Sequence, residues 1–188
     1  SKGNLWICTS RAGVYKLTTD GGVKKYDKSN GLNGELYRTV TELSDNTILV
    51  AGDSGMSFIK DDDSVYNIGT QMINSKVLCT LQADDKTIFA GTDGNGIEVI
   101  RDGVIVGNFG KNEGLSSGVI LRMVEDSSGD GIFIVTSNSI CYMDKIQNIR
   151  VLKNFPYYNN YDIVNGKDGM LFVLSSAGIF VVDEKKLL

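Results

Sequence analysis

The sequence contains no histidine and only three cysteines. Without histidine, the side chain used most often as a general base and zinc ligand is missing, which excludes Ser-His-Asp, Cys-His and histidine–zinc chemistry. Cys8, Cys79 and Cys141 lie far apart with no Cys-x-x-Cys spacing, so neither a zinc site nor a disulfide framework is indicated. We expect the three to be small buried hydrophobic residues, and we predict no metal and no cofactor.

Long apolar runs and an excess of positive charge are missing as well. No apolar run approaches the roughly 18 to 20 residues that cross a bilayer. The net charge of −4 gives no electrostatic footprint for nucleic acid. The chain begins with serine and has no charged segment followed by an apolar one, so we expect any secretion signal to lie outside this sequence. We interpret the chain as a piece of a longer protein.

Glycine is abundant, with 22 residues, whereas proline occurs once. This balance favours many short strands joined by tight turns. One segment recurs five times: an apolar strand with an aromatic residue or leucine at its centre, a small-residue turn and a second strand. The copies are spaced by about 41.5 residues on average, which is typical of propeller blades. Their centres are Trp6, Leu49, Phe89, Phe133 and Phe172.

Each period contains four apolar runs of strand length, as in residues 77–81, 87–91, 96–100 and 104–109. Four runs predict one four-stranded blade, whose strands we label A to D from the channel outward. The chain is therefore predicted to be all-β, a propeller fragment of about 4.5 blades and about 18 antiparallel strands. It opens on a strand B near Asn4 and ends on a strand C near Val182. We expect residues 1–188 to form a single segment of a larger propeller.

The incomplete blades at both ends predict association. Unpaired N–H and C=O groups along a strand edge are templates for pairing with another chain. We expect this piece, if expressed alone, to self-associate through its open edges or as a homodimer, or to be only marginally stable.

Two motifs carry a resemblance to a known family. The first is Leu5-Trp6-Ile7 followed by a turn at Gly13, and the second is the linker Gly114-Leu115-Ser116, with Asn30-Gly31-Leu32 as a further copy. Together with the period they resemble the two-component regulator propeller repeat. The sequence departs from that repeat at Cys8, where glycine is usual, and at Ser139, which replaces a turn glycine.

The resemblance implies a function that composition does not. Propellers of this type form the extracytoplasmic, ligand-sensing part of membrane-spanning signalling proteins, often ahead of histidine kinase or diguanylate cyclase modules, and many respond to glycans. It therefore implies a non-enzymatic sensor segment located in the periplasm or outside the cell. The expected partner is a small molecule or oligosaccharide, and the parent protein is expected to be membrane-anchored.

In a four-stranded blade, the D-to-A linkers and B-to-C turns lie on one side of the propeller, which we call the linker face. The A-to-B and C-to-D turns lie on the opposite face. Propeller ligands commonly bind at the channel mouth, on loops held by the rigid sheets. We therefore predict the ligand site on the linker face. The candidate residues are Arg11, Asn33, Tyr37, Arg38, Asp53, Asp93, Asn95, Arg122, Tyr157, Tyr158 and Asn160.

Residues 156–161, Pro-Tyr-Tyr-Asn-Asn-Tyr, depart most from the repeat. Aromatic faces bind the C–H surfaces of sugars and amides bond their hydroxyl groups, so this segment favours a carbohydrate. Packing of the tyrosines between blades is the alternative. Arg122 interrupts an apolar strand A, and its charge would need a carboxylate, a ligand or water as a partner. An ion pair within the channel is the alternative to a role in ligand binding.

The acidic motif around Asp126, Ser128 and Asp130 resembles the first half of a calcium loop. The position that would supply the bidentate glutamate is Ser137, so a turn between strands A and B fits better.

Two other function classes remain open. A protein-interaction propeller is possible, although the Gly-His and Trp-Asp signatures of WD40 repeats are absent. A sugar-active hydrolase or lyase is the other. The streptogramin lyase type of propeller relies on histidine, which is absent here. Hydrolysis by a pair of carboxylates stays open through Asp53, Asp93 or Glu113, but the spacing of these residues in the sequence does not identify an acid and a base.

Overall fold

The computed structural model describes residues 2–69, 73, 75–83 and 85–188. In this part of the chain, eighteen strands form five antiparallel sheets, accompanied by one short helix, α1 (Glu184–Leu187), and two 3-10 turns. No described helix has the length and apolar character needed to span a membrane. The strands are β1 (Leu5–Cys8), β2 (Val14–Leu17), β3 (Val23–Tyr26), β4 (Tyr37–Glu42), β5 (Ile48–Gly52), β6 (Gly55–Ile59), β7 (Val65–Gly69), β8 (Val77–Gln82), β9 (Ile88–Thr92), β10 (Ile97–Arg101), β11 (Val104–Phe109), β12 (Ile120–Glu125), β13 (Gly131–Thr136), β14 (Ile140–Asp144), β15 (Ile149–Val151), β16 (Asn160–Asn165), β17 (Met170–Ser175) and β18 (Gly178–Asp183).

The sheets follow one another along the chain and confirm the predicted propeller arrangement. Sheet 1 is β1-β2-β3, sheets 2 to 4 have four strands each from β4 to β15, and sheet 5 is β16-β17-β18. The chain therefore begins on a strand B and ends, before its short helix, on a strand C. The predicted strand bounds differ from the observed ones by about one residue, which is the usual uncertainty at element ends. The five repeat centres all lie on strand B of their sheets, in β1, β5, β9, β13 and β17.

The hydrophobic core lies between consecutive sheets. In strand B of sheet 2, Leu49 and Ala51 belong to the cluster shared with sheet 3, whereas Ile48 and Val50 belong to the cluster shared with sheet 1. Side chains alternate along a strand, so a sheet with a neighbour on each side buries both of its faces. The end sheets do not: Phe133 of sheet 4 is 0% exposed, but its repeat equivalent Phe172 of sheet 5 is 44% exposed.

The Gly-Leu linkers have a structural role. The 3-10 turns Lys28–Asn30 and Lys111–Glu113 end at Gly31 and Gly114, whose φ angles of 98° and 111° lie in the left-handed region. The leucine that follows each glycine, Leu32 or Leu115, is buried in the cluster between two sheets. The glycine therefore makes the turn and the leucine anchors the linker.

Strand A carries a β-bulge at the same place in sheets 2 to 5. Between the first and second paired residues of β4, β8, β12 and β16, one extra residue interrupts the register. A bulge bends the strand and redirects a side chain. The sequence analysis did not predict this feature, which lies at the linker-face end of each strand. The bulged residues are Arg38, Leu78, Leu121 and Tyr161.

The acidic motif after β12 is a turn, as expected. Asp126 Oδ1 accepts bonds from the backbone N–H groups of Ser128 and Asp130, both at 3.0 Å. The hydroxyl of Tyr142 donates to Asp126 Oδ2 at 2.5 Å, so both carboxylate oxygens are engaged. Burial favours the neutral acid, but these hydrogen bonds outweigh it and hold the pKa of Asp126 below its usual value.

The three cysteines are free thiols. Cys79 and Cys141 are buried between sheets 3 and 4, as predicted, whereas Cys8 is only half-buried. Burial raises the pKa of Cys8 to about 11 and that of Cys79 to about 12. Because the thiolate is the reactive form, these two residues are poor nucleophiles near neutral pH.

Candidate ligand-binding site

Hydrogen bonds join the B-to-C turns and D-to-A linkers into one continuous surface. The N–H of Gly13, in the first B-to-C turn, donates to Glu35 O of the following linker at 2.9 Å, and the N–H of Gly94 donates to Gly118 O at 3.1 Å. In sheets 1 and 3 the B-to-C turn therefore rests on the linker that leads to the next sheet, whereas in sheet 4 the N–H of Ser137 donates to Val119 O of the linker that leads into the same sheet. This places the predicted candidate residues on the same face of the propeller.

Arg38, at the bulge of β4, is held by a carboxylate on the linker face. Its Nε donates to Asp53 Oδ1 at 2.7 Å, and Lys76 Nζ lies 4.0 Å from the other oxygen of Asp53. The side chain of Arg38 is 39% exposed and that of Lys76 is 50% exposed. This group presents two cations around one carboxylate, so it can accept a polar or acidic ligand. Lys76 was not among the predicted residues.

Arg122 forms an ion pair in the inner strands. Its Nε lies 3.2 Å from Asp162 Oδ1, and both side chains are 44% exposed. The pair joins strand A of sheet 4 to strand A of sheet 5. The charge in the apolar strand is thus balanced by a carboxylate that the sequence analysis did not select, while both groups stay open to solvent.

Asn33 and Tyr37 lie beneath the surface in a shared network. The amide of Asn33 donates to Ser54 O at 2.8 Å, and its oxygen accepts from the hydroxyl of Tyr37 at 2.9 Å and from Ser57 Oγ at 3.0 Å. Tyr37 is buried, and that burial raises its pKa. These two residues fix the linker against sheet 2 and direct their polar atoms inward.

Beside the third B-to-C turn, strand C of sheet 3 carries a carboxylate that the sequence analysis missed. Asp93 and Asn95 are exposed on this turn, and the amide of Asn95 donates to Glu98 Oε1 at 2.6 Å. Glu98 is only 5% exposed, and burial raises its pKa although bonds from Asn95 and Asn108 oppose the shift. The signal in the sequence that could have identified Glu98 is an acidic residue within an otherwise apolar strand C. Arg11 is exposed on the first B-to-C turn.

The tyrosine segment divides into packed and open residues. The ring of Tyr157 stacks on Phe180 with centroids 4.1 Å apart, which is packing of the kind considered as the alternative, although the residue is still 42% exposed. Asn160 is 1% exposed; its amide donates to Tyr157 O at 3.0 Å, and its Oδ1 has no hydrogen-bond partner among the described residues. By contrast, Tyr158 is 73% exposed and Tyr161, at the bulge of β16, is 52% exposed. These two rings are available to a ligand.

Clefts between neighbouring sheets open on the opposite face. One of about 330 Å³ lies between sheets 3 and 4, with Phe89, Ile132 and Met143 among its buried lining and Asp130 and Lys145 among its exposed lining. Another, of about 450 Å³, lies between sheets 2 and 3. None of the predicted candidate residues lines these two clefts.

Comparison with solved structures identifies the fold. The chain is similar to the extracellular domain of the hybrid two-component system protein BT4673 from B. thetaiotaomicron, with a TM-score of 0.82 and 15% identity over 98% of this chain. The corresponding domain of BT3049 from the same organism gives a TM-score of 0.77 and 20% identity over 96% of this chain. This chain covers only 28% and 25% of those two chains. At these identities the likeness shows a shared fold.

The same fold also occurs in enzymes. Virginiamycin B lyase from Staphylococcus aureus matches 97% of this chain with a TM-score of 0.74 and 15% identity, and this chain covers 67% of it. A catalytically inactive His→Ala variant of that lyase, with quinupristin, matches equally well.

No protein-family model matches this chain. A search of curated proteins also gives no match.

Proposed function

We propose that this chain is a ligand-sensing propeller segment of a two-component regulator type of signalling protein, located outside the cytoplasm. The observation that carries the proposal is the likeness of almost the whole chain to extracellular domains of hybrid two-component proteins. The Leu-Trp-Ile and Gly-Leu-Ser motifs, which resemble the repeat of such sensors, support it independently.

The proposed ligand is a carbohydrate bound on the linker face. Tyr158 and Tyr161 expose their rings within one short segment, and the next residue, Asp162, forms the ion pair with Arg122. Aromatic rings bind the apolar faces of sugars, while a half-exposed ion pair offers both donors and acceptors to hydroxyl groups. The Arg38–Asp53–Lys76 group offers further charged groups on the same face, at sheet 2.

Binding, and not catalysis, is the proposed role. The lyase of the same fold loses its activity when a histidine is replaced, and this chain has no histidine. Among the carboxylates of the linker face, Asp53 and Asp162 are paired with cations and Glu98 is bonded to an amide. For signalling, we propose that the propeller has two arrangements in equilibrium and that the ligand binds one of them more tightly. A ligand shifts such an equilibrium only by the difference between its affinities for the two states.

The test is calorimetric titration of the chain with a panel of neutral and acidic oligosaccharides. For a glycan that binds, we expect Tyr158→Ala and Tyr161→Ala each to weaken the affinity about tenfold, the effect of losing roughly 1.4 kcal/mol of ring contact. Tyr66→Ala is the matched control, because Tyr66 is 42% exposed on strand D of sheet 2, away from this segment. Absence of binding to every glycan, or equal weakening by the control, would overturn the carbohydrate assignment.

A further inference from the structure

The cleft between sheets 3 and 4 is a cavity that the proposed sugar site does not use. Its volume is about 330 Å³, and the A-to-B and C-to-D turns that line it lie on the face opposite the linkers. Phe89, Ile132 and Met143 form a buried apolar lining, and Ala83 is half-buried beside them. Small-molecule sites are concave and mostly apolar, and this volume is at the lower end of their range.

One lining residue is smaller than its equivalent in the preceding sheet. Ala83 and Leu43 each lie six residues before the repeat centre of their strand B, and each donates its backbone N–H to a threonine O, at 2.9 Å and 2.8 Å. Both side chains belong to the cluster between their own sheet and the next one. Leucine at position 83 would therefore follow the repeat and extend into the cleft between sheets 3 and 4.

The rim of this cleft is acidic. It is lined by carboxylates at four positions and by an ammonium group at one, namely Asp85, Glu125, Asp130, Asp144 and Lys145. Lys145 Nζ lies 2.9 Å from Asp130 Oδ1, and Arg101 Nη2 lies 3.7 Å from Asp85 Oδ2. Carboxylates remain in excess when both of these ion pairs are counted.

Two of the rim carboxylates are stabilised in their ionised form. The N–H of Thr87 donates to Asp85 Oδ1 at 2.9 Å, and the N–H of Asn148 donates to Asp144 Oδ1 at 2.9 Å. These backbone bonds lower the pKa of Asp85 and the pKa of Asp144, because they favour the charged form of each group. Both side chains are therefore anions at neutral pH.

The cleft between sheets 2 and 3 does not share this charge. Its lining contains equal numbers of carboxylates and ammonium groups, namely Asp45, Asp102, Lys60 and Lys86. Lys86 and Asp130 occupy the same place in the repeat, three residues before the centre of strand B. The repeat therefore places a cation at one cleft and an anion at the next, and the acidic excess distinguishes the cleft between sheets 3 and 4.

We infer that the cleft between sheets 3 and 4 binds a small organic ammonium ion with an apolar body. The apolar body packs against Phe89, Ile132 and Met143, where removal of apolar surface from water is favourable. The ammonium group stays at the rim, where Asp85 and Asp144 accept charge-assisted hydrogen bonds and water still solvates the charge. The volume fits a ligand of this size, whereas a stable protein partner needs a much larger contact area.

The test is a proton–nitrogen correlation NMR titration of the 188-residue chain with phenylbutylammonium. Phenylbutanol and phenylbutyrate serve as the neutral and anionic probes of similar shape. We expect the ammonium ion to bind with a dissociation constant on the order of 1 mM, as about 11 non-hydrogen atoms allow. The alcohol should bind about fivefold more weakly and the carboxylate more weakly still, because neither forms an ion pair with the rim. The shifted signals should come from the cleft, including Phe89 and Ile132.

A matched pair of variants tests the role of the rim charge. Asp85→Asn should weaken binding of the ammonium ion about threefold, and the double variant with Asp144→Asn about tenfold. An asparagine oxygen can still accept the N–H of Thr87, so the turn is kept. Asp45→Asn is the control, because Asp45 accepts the N–H of Thr47 at 3.0 Å in the same turn of sheet 2, and it should leave the affinity unchanged.

Ala83→Leu tests the cleft itself. It should weaken binding of both the ammonium ion and the alcohol at least tenfold, because the added carbon atoms occupy the space of the apolar body. If this variant does not melt cooperatively, Ala83→Val provides the same test with a smaller side chain.

Several outcomes would overturn the inference. Among them are no binding of the ammonium ion up to about 10 mM, ten times the expected dissociation constant, and equal affinity for the three probes. Signals that shift only on the linker face, or equal weakening by Asp45→Asn and Asp85→Asn, would do so as well. The affinity for a glycan and its loss in Tyr158→Ala are independent of these results, because the two sites lie on opposite faces.

Discussion

A comparison of Phe133 with Phe172 tests whether the core of this protein lies between its sheets. The two residues occupy the same place in strand B of sheets 4 and 5, but Phe133 is 0% exposed and Phe172 is 44% exposed. Truncation of a fully buried phenylalanine to alanine costs about 3 to 5 kcal/mol. Since slightly more than half of the Phe172 side chain is buried, we expect Phe172→Ala to cost about 2 kcal/mol.

Urea denaturation followed by circular dichroism measures this difference. Both variants should unfold in one transition, with Phe133→Ala about 2 kcal/mol less stable than Phe172→Ala. Phe133→Leu and Phe172→Leu should keep the same order with smaller losses. Equal losses at the two positions would refute the reasoning, because they would mean that a neighbouring sheet on each side adds nothing to the burial of the repeat centre.

Two other predictions concern the linkers and turns. Gly114→Ala should lower the free energy of unfolding by about 3 kcal/mol or more, and Gly103→Ala by only about 1 kcal/mol. Both glycines have left-handed backbone angles, but an added Cβ at Gly114 would lie 2.3 Å from Ile149 O, whereas nothing lies within 4 Å at Gly103. Similar losses for the two variants in urea titrations would contradict the close approach at Gly114. In the wild type, the ionised carboxylate of Asp126 stabilises the folded state fully above the unfolded pKa of about 4, and this contribution is lost as the pH falls through the lowered pKa of the folded state. Asp126→Asn should remove that contribution to the free energy of unfolding. Urea titrations should therefore show a large difference from wild type at pH 7 and a small one at pH 2, and a difference independent of pH would refute the role of the Asp126 carboxylate.

The site was predicted less completely than the fold. Sequence reasoning selected Arg38, Asp53 and Arg122, which the structure places in ion pairs on the linker face, but it missed their partners Lys76 and Asp162. These partners come from neighbouring strands or sheets, and a repeat period does not reveal which side chains meet across them.

The tyrosine segment shows the same limit. Composition marked residues 156–161 as unlike the other linkers, yet it could not separate the stacked Tyr157 from the open Tyr158 and Tyr161. The exposure of Tyr161 follows from the bulge in β16, which depends on the register of pairing with β17.

What the sequence determined by itself was the local and periodic part of the structure. Alternating apolar residues, turn glycines and a repeat of about 42 residues were enough for the five sheets and their incomplete ends, because each blade is built from contacts close in the chain. Tertiary structure alone decided which of two equivalent residues is buried, as for Phe133 and Phe172, and which side chains meet across neighbouring sheets, as for Arg122 and Asp162. Those outcomes depend on whether a neighbouring sheet or strand is present, and hydrophobic patterning within one repeat carries no information about its neighbours.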